Sequence, residues 1–158
     1  FNRVDYLGRV GALTCASVTI ADIRGEVYPS ATMKTSFASP SAAPYGLAFN
    51  GTDLISCDSS ADMIYIHNGI SASIKTSFAS PSAFPSGLTF NGTDLISCDY
   101  NSKMIYVHNG ISASIKTSFA SPSAAPYGLA FNGTDLISCG LSEKMIYIHK
   151  NKLEFIEM

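Results

Sequence analysis

The apolar positions of this chain fall into short runs separated by turn-forming residues. Gly46–Phe49 and Leu54–Cys57 are two such runs, and Asn50-Gly51 lies between them. Asn-Gly is the strongest short signal for a hairpin, because a type I′ turn needs positive φ at both central residues. Met63–His67 alternates large side chains and is rich in β-branched and aromatic residues, as strands are. Ile70–Phe78 alternates apolar with polar positions, which predicts a strand with one solvated face.

Polar and proline-containing segments separate these predicted strands. Asp58–Asp62 predicts a loop between the second strand and the third, and Asn68-Gly69 predicts a second type I′ turn before the fourth. The fourth strand is broken at Ala79–Ser82, where Pro81 and Pro85 rule out a helix. The local pattern therefore predicts four antiparallel strands with tight hairpins.

This pattern occurs three times head to tail, in Lys34–Ile74, Lys75–Ile115 and Lys116–Met158. A fixed period of roughly 20–50 residues is typical of solenoids, propellers and arrays. Four antiparallel strands per repeat predict an all-β fold, a β-propeller-type array in which each repeat is one blade. We expect these blades at about residues 38–78, 79–119 and 120–158.

The first residues of the chain look like a degenerate fourth copy. Ala31–Phe37 matches Ala72–Phe78, and Leu13-Thr14-Cys15 resembles Ile55-Ser56-Cys57. We therefore expect residues 1–37 to form a degenerate first blade, so that residues 1–158 make one domain of about four blades. The final segment, 153–158, is expected to supply the last outer strand.

The repeated string P-x-GL-x-FNGTDLISCD-x(4)-MIY resembles the repeats of NHL and streptogramin-lyase-like β-propellers. The resemblance covers the three full repeats and, weakly, the first segment. It implies an architecture and not an activity. The chain departs from that family in its smaller number of blades and in having no tryptophan.

The composition narrows the classes of partner. The chain is 46% hydrophobic and only 14% charged, which argues against disorder. Its net charge of −2 provides no basic surface for nucleic acid or anionic membranes. No apolar run approaches the roughly 18 residues that span a bilayer. We therefore expect no nucleic-acid partner and no membrane insertion.

One cysteine and one histidine recur in each repeat. Cysteines at a spacing of 41 residues should lie too far apart for disulfides, so they are predicted to be buried thiols that act as small hydrophobes: Cys57, Cys98 and Cys139. The third-strand histidines should likewise be too far apart to share a metal ion, and are predicted to pack between blades: His67, His108 and His149. We expect no metal site and no cofactor.

Carboxylates and asparagines recur at the predicted turns. Rings of carboxylates at a propeller mouth can hold a cation, but turn capping is the favoured interpretation of this set: Asp53, Asp94, Asp135, Asp58 and Asp99. The Asn-Gly-Thr turns are also N-glycosylation sequons, at Asn50, Asn91 and Asn132.

The three copies differ mainly in two segments, the fourth-to-first connection and the second-to-third loop. In a blade whose first strand is innermost, both segments lie on one face of the disc, which we call the loop face. Aromatic side chains there are suited to contact a ligand, and we predict a binding role for Tyr45, Phe84, Tyr100 and Tyr127. Neutral drift of surface loops is the alternative explanation of the same differences.

Near-identical repeats favour functions that need several equivalent contacts, whereas an enzyme site is asymmetric. The leading hypothesis is a non-catalytic extracellular or cell-surface protein that self-associates, as a homo-oligomer or filament, and serves as a scaffold or interaction module. A cytoplasmic location stays open. One alternative is a multivalent lectin-like binder of carbohydrate or peptide, with a site on each blade. Another is a metal-dependent enzyme of the streptogramin-lyase or lactonase type.

Overall fold

A computed structural model describes residues 33–150 of the chain. The chain divides into two compact units, Phe1–Ser36 and Phe37–Met158, and the strands reported below belong to the second. Most of the expected degenerate blade at residues 1–37, and the expected final strand at 153–158, lie outside the described residues.

The described residues form eleven β-strands arranged in three antiparallel sheets. The first sheet contains β1 (Pro44–Phe49), β2 (Leu54–Asp58), β3 (Met63–His67) and β4 (Ile74–Ala79). The second contains β5 (Pro85–Phe90), β6 (Leu95–Asp99), β7 (Met104–His108) and β8 (Ile115–Ala120). The third contains β9 (Pro126–Phe131), β10 (Leu136–Gly140) and β11 (Met145–His149). In this part of the chain there is no helix long and apolar enough to cross a membrane.

Each strand pairs with the next strand in the chain, so every sheet is an up-and-down meander. Across sheets, β1 contacts β5 and β5 contacts β9, whereas β4 and β8 are exposed along almost their whole length. The first strand of each repeat is therefore innermost and the fourth is outermost. The prediction of an all-β fold built from four-stranded antiparallel sheets is confirmed, and a count of about four blades per chain stays a prediction.

The fourth strand begins later than the alternation of Ile70–Phe78 indicated. It starts at Ile74, because the preceding residues close a wider turn. In that turn the N–H of Asn68 donates to the carbonyl of Ser73 at 2.7 Å, and the hydroxyl of Ser71 donates to the carbonyl of Asn68 at 2.8 Å. The predicted tight hairpin at Asn68-Gly69 was therefore wrong, because polar side chains satisfy a longer loop there.

The first Asn-Gly turn also differs from the predicted type I′ geometry. Gly51 has a φ of +96°, but Asn50 is not in the positive-φ region. Instead, the side-chain oxygen of Asn50 accepts hydrogen bonds from the N–H groups of Thr52 at 2.9 Å and Asp53 at 2.7 Å. The asparagine thus makes the turn with its side chain rather than its backbone, as it does in the other two copies.

Neighbouring inner strands approach so closely that only glycine fits at one position. A Cβ on Gly87 would lie 2.6 Å from the carbonyl oxygen of Tyr127 and 2.9 Å from the sulfur of Cys98. A Cβ on Gly46 would lie 2.9 Å from the backbone nitrogen of Leu88. The absence of a side chain at these glycines allows successive sheets to pack backbone against backbone.

The repeated cysteines fill the space beside these glycines. The sulfur of Cys57 accepts a hydrogen bond from the N–H of Gly46 at 3.2 Å and lies 3.5 Å from the carbonyl of Pro85 in the next sheet. Cys57 and Cys98 are fully buried free thiols, as predicted. Cys139 is exposed, so burial was wrong for the third copy, which no further sheet covers within the described residues.

Two apolar layers, built largely from equivalent positions of the repeat, join the sheets. The first layer contains Ala48, Ile55, Cys57, Ile64, Ile66, Leu88 and Leu95. The second contains Ile96, Cys98 and Ile105, with Leu129 and Leu136 packed against them. Each sheet thus packs a surface of isoleucine and cysteine against the next sheet, and we call this surface its following face. It packs a leucine surface against the previous sheet, and we call this surface its preceding face.

We expect Gly87→Ala to lower the free energy of unfolding by about 1–3 kcal/mol, because the new Cβ overlaps the Tyr127 carbonyl oxygen. Gly128→Ala is the matched control, since among the described residues its Cβ would meet one side-chain atom, the Cys139 sulfur at 2.7 Å, and no backbone atom. Cys139 is exposed, so its side chain can rotate away and the loss should be smaller. Urea unfolding followed by circular dichroism, at the lowest practical protein concentration, measures both. Equal losses in the two variants would contradict the close approach at Gly87.

Candidate functional site

The two variable segments of each repeat lie side by side. The residue that begins the second-to-third loop donates its N–H to a carbonyl in the fourth-to-first connection, at 3.0–3.1 Å, in all three copies: Ser59 to Ala43, Tyr100 to Phe84 and Leu141 to Ala125. The structure therefore forms the predicted loop face from these segments.

The four aromatic residues predicted for this face form one cluster that draws on all three sheets. Their ring centroids make a closed circuit of contacts: Tyr45–Phe84 at 5.1 Å, Phe84–Tyr100 at 5.3 Å, Tyr100–Tyr127 at 5.5 Å and Tyr127–Tyr45 at 6.4 Å. Tyr45 is 48% exposed and Tyr100 is 37% exposed, while Phe84 and Tyr127 are half-buried. This set is the aromatic cluster, and its role in binding stays a prediction.

The convergence of the inner strands explains why these rings meet. Tyr45 and Tyr127 are the second residues of β1 and β9. The corresponding residue of β5 is Ser86, which is buried and donates its hydroxyl to the carbonyl of Pro126 at 2.7 Å. The second sheet instead contributes Phe84, just before its inner strand, and Tyr100, just after its second strand.

Phe84 has an unusual backbone conformation. Its φ is +77°, a region that disfavours bulky residues and costs about 1–3 kcal/mol. Its N–H donates to Oδ1 of Asp62 at 3.0 Å. In the first copy the equivalent residue, Ala43, does not have positive φ and donates its N–H to Oδ2 of Asp58 at 2.8 Å. The second copy has thus exchanged one carboxylate partner for another.

This exchange leaves a buried carboxylate oxygen unpaired. Asp99 is the counterpart of Asp58 and is 1% exposed. Its Oδ1 caps the following loop by accepting bonds from Ser102. Its Oδ2 has no hydrogen-bond partner in the described part of the chain, because the N–H of Phe84 is directed to Asp62. Buried unpaired polar atoms are rare in folded proteins and need an explanation.

The capping role predicted for the paired aspartates matches their hydrogen bonds. Asp58 Oδ1 accepts the N–H groups of Ser60 at 2.9 Å and Ala61 at 3.0 Å. Burial tends to raise the pKa of Asp58, but these hydrogen bonds hold it below the ordinary value. On the opposite edge, Asp53 accepts the N–H of Gly69 at 2.9 Å.

The same edge carries an ion pair in the first and second copies. The ammonium of Lys75 lies 2.9 Å from Oδ2 of Asp53, and this bond, with the N–H of Gly69, lowers the pKa of Asp53. Asn50, Asn91 and Asn132 lie in the turns of this edge, and their glycosylation stays a prediction.

The repeated histidines are held by hydrogen bonds on their ring nitrogens. Nδ1 of His67 lies 2.7 Å from the carbonyl of Ser71, and Nε2 lies 2.9 Å from the hydroxyl of Ser56. Because a carbonyl only accepts, Nδ1 donates to Ser71, and Nε2 shares a hydrogen bond with the Ser56 hydroxyl. The buried side chain of His67 therefore links two segments of its own repeat by hydrogen bonds.

His108 repeats the arrangement, with Ser112 and Ser97 as partners. Its ring also packs 5.7 Å from that of Phe78, which belongs to the outer strand of the preceding sheet. Burial lowers the pKa of His108, which favours the neutral ring. The predicted packing of histidines between sheets agrees with these contacts. Among residues 33–150, no three His, Cys, Asp or Glu side chains are grouped closely enough to hold a metal ion.

Comparison with known proteins identifies the architecture and no family. No model of a known protein family matches the sequence, and no curated protein matches it. Solved structures do resemble the fold. The WD40 β-propeller domain of Doa1 is 15% identical, with a TM-score of 0.53 over 65% of this chain and 34% of that one. Glutaminyl cyclase of Myxococcus xanthus is 11% identical, with a TM-score of 0.55 over 68% of this chain and 55% of that one.

The WD40 repeats of RRP9 are 21% identical, with a TM-score of 0.52 over 66% of this chain and 36% of that one. At these identities the likeness shows a β-propeller architecture alone. The chain spans 34–55% of the length of these three structures. Two are WD40 propellers and one is an enzyme, so the likeness does not decide between binding and catalysis.

We expect the stability of the fold to fall as the pH drops below about 6.5, the ordinary pKa of histidine. Burial lowers the pKa values of His108 and His149, so the unfolded chain takes up protons more readily than the folded chain. The contribution of these two histidines to stability is complete above their pKa in the unfolded chain. It is lost as the pH falls from there through their lower pKa in the folded chain. Thermal unfolding across this range should show a weaker pH dependence in His108→Gln than in Ser118→Gln, an exposed control. The same dependence in both variants would contradict this assignment.

Proposed function

We propose that this chain is a non-catalytic interaction module that associates with further copies of itself through the two end faces of the three sheets formed by residues 33–150. One observation carries the proposal. In the third sheet Ile146 is 72% exposed, whereas its equivalents Ile64 and Ile105 in the earlier sheets are fully buried. Ile148 is 69% exposed, whereas its equivalent Ile66 is 4% exposed and Val107 is half-buried. The following face of the third sheet is thus an apolar surface that the fold buries wherever another sheet comes after it.

The other end of the array shows the complementary surface. Leu47 is 61% exposed and Ile70 is 67% exposed on the first sheet. The equivalent leucine of the second sheet, Leu88, is 3% exposed, and Ile111 packs against the first apolar layer. The preceding face of the first sheet is therefore also an exposed version of a surface that is buried inside the array.

These two exposed faces match each other by the symmetry of the repeat. A third sheet packed on the first sheet of another copy would reproduce an interface that occurs twice within one chain. Such a contact joins two different surfaces, so it closes into a ring if the rotation permits and otherwise continues as a filament. Large exposed apolar patches are typical of interaction sites.

A groove in the following face of the third sheet also fits a second copy of the chain. It has a volume of about 320 Å³ and is lined by Tyr127, Cys139, Gly140 and Leu141. In the internal interface, the carbonyl of Pro85 lies over the sulfur of Cys57 at the corresponding place. A second copy would present Pro44 there, since it holds the same position in the first repeat.

A second candidate function is ligand binding on the loop face, favoured by the contact among the four aromatic rings. The side chains meet in one shared cluster rather than in separate sites on each sheet. A single site for a carbohydrate, a peptide or a smaller ligand therefore fits the geometry better than a multivalent one.

We expect the wild-type chain to show, by size-exclusion light scattering, a mass that rises with concentration above that of one chain. Ile146→Lys should reduce it to the monomer, because a charged group then occupies the apolar contact while the exposed position leaves folding intact. Ser118→Lys, on an exposed outer strand, is the control and should behave like wild type. A wild-type monomer at every concentration would rule out self-association.

Thiol labelling of Cys139 identifies what covers this face. In a Cys15→Ser background, Cys139 should react with a disulfide reagent in the Ile146→Lys monomer and be protected in the wild-type oligomer. Burial raises the pKa of Cys57 to about 12 and that of Cys98 to about 11, so both react slowly in either state. A monomer with protected Cys139 would mean that another part of the same chain covers the face.

An extracellular or cell-surface location belongs to the same proposal. It predicts N-linked glycans at the three Asn-Gly-Thr turns when the chain passes through a secretory pathway that glycosylates. The asparagine side-chain oxygen makes the turn, which leaves the amide nitrogen for attachment. Mass spectrometry of the protein from its native source tests this expectation. An Asn132→Gln variant expressed in the same cells is the control. Unmodified asparagines would leave the location without this support.

A further inference from the structure

We propose that the aromatic cluster binds an organic cation of the methylated-ammonium class, with the carboxylate of Asp99 as its counter-charge. This inference rests on the loop-face site and is independent of self-association. The first step is the chemistry of the cluster. Four rings, three of them tyrosines, lie within 5.1–6.4 Å of their neighbours, and two are exposed to solvent. Cations are attracted to the faces of such rings.

The second step is the charge of the loop face. Its loops and connections carry more carboxylates than ammonium groups: Asp58, Asp62, Asp99 and Glu143 against Lys103 and Lys144. Within the described residues, the ion pairs join Lys75 to Asp53 and Lys116 to Asp94, both on the opposite edge. Neither ion pair neutralises a carboxylate of the loop face, which therefore keeps an excess of negative charge that attracts cations from solution.

The third step is the unpaired oxygen of Asp99. Asp99 precedes Tyr100 in the chain and pairs across the sheet with Pro85, the neighbour of Phe84. It thus lies at the base of the cluster, where its Oδ2 is buried and without a hydrogen-bond partner among the described residues. A buried unpaired carboxylate oxygen is strongly unfavourable, and a cation held above it would relieve that cost.

The fourth step is the strained conformation of Phe84. The geometry of the first copy, with the N–H directed to the aspartate below, would satisfy Asp99 and avoid the positive φ. The second copy keeps the strained alternative, in which Asp62 holds the backbone and the Phe84 ring contacts Tyr45 and Tyr100. Backbone strain of this kind concentrates at ligand clamps. A site for a cation accounts for both the strain and the unpaired oxygen.

The test compares choline with 3,3-dimethylbutan-1-ol, which has the same shape without the charge. Titrations use the Ile146→Lys chain, so that the result does not depend on assembly. Calorimetry gives the affinity, and because the chain has no tryptophan, the accompanying fluorescence change comes from its eight tyrosines, three of which lie in the cluster. We expect choline to bind at least about tenfold more tightly than the neutral alcohol.

Three variants examine the residues. Asp99→Asn should weaken choline binding about fivefold or more by removing the counter-charge. Phe84→Ala should also weaken it, and it is safe for folding because the first and third copies already have alanine there, at Ala43 and Ala125. Tyr147→Ala, in β11 and outside the cluster, is the matched control and should retain binding.

Each result decides the proposal. Equal affinities for choline and the alcohol, or no binding of choline, would overturn the cationic ligand. Binding of a neutral sugar such as cellobiose without choline would overturn it while keeping the loop-face site as a carbohydrate site. If neither ligand binds, the loop-face site fails together with the proposal, whatever the oligomeric state.

Discussion

The close approach of the inner strands at Gly46 and Gly87 governs how the sheets pack. At Gly87 there is no room for a Cβ between its strand and the carbonyl of Tyr127. Because the backbones meet there, Cys57 and Cys98 are enclosed by the following sheet, and the isoleucine and leucine faces come into contact as layers. The same convergence brings Tyr45 and Tyr127, from different sheets, within contact distance.

Because the repeats are nearly identical, the two end faces of the array carry the same apolar residues as the faces buried inside it. The surface that Ile64 contributes to a buried layer is the surface that Ile146 exposes to solvent. A fold of this kind leaves an apolar face at each end unless something covers it, and a further copy of the chain carries the matching surface. The self-association that we propose would therefore need no additional binding element, because each repeat carries both matching surfaces.

The aromatic cluster of the loop face lies where the repeats stop being identical. Asp62 stands where the other copies have lysines, and Phe84 stands where they have alanines. The two substitutions act together, because the Asp62 carboxylate holds the Phe84 backbone in its strained conformation. Their combined result, within the described residues, is an aromatic cluster and an unpaired Oδ2 on Asp99, on a scaffold that is otherwise regular. A regular scaffold can therefore carry a single asymmetric site.

The all-β class, the four antiparallel strands of each repeat and the burial of most of the repeated apolar residues could be predicted from the sequence. Apolar runs and a period of 41 residues suffice for that, because a strand pairs with its nearest neighbour in the chain. Burial of Cys57 and the packing of His108 between sheets were predictable from recurrence alone. The start of the fourth strand and the turn geometry at Asn50 were not, since side-chain hydrogen bonds decided them. The exposure of Cys139 and the meeting of four distant aromatic residues could be known from the folded structure alone, because both depend on how separate sheets are placed in space.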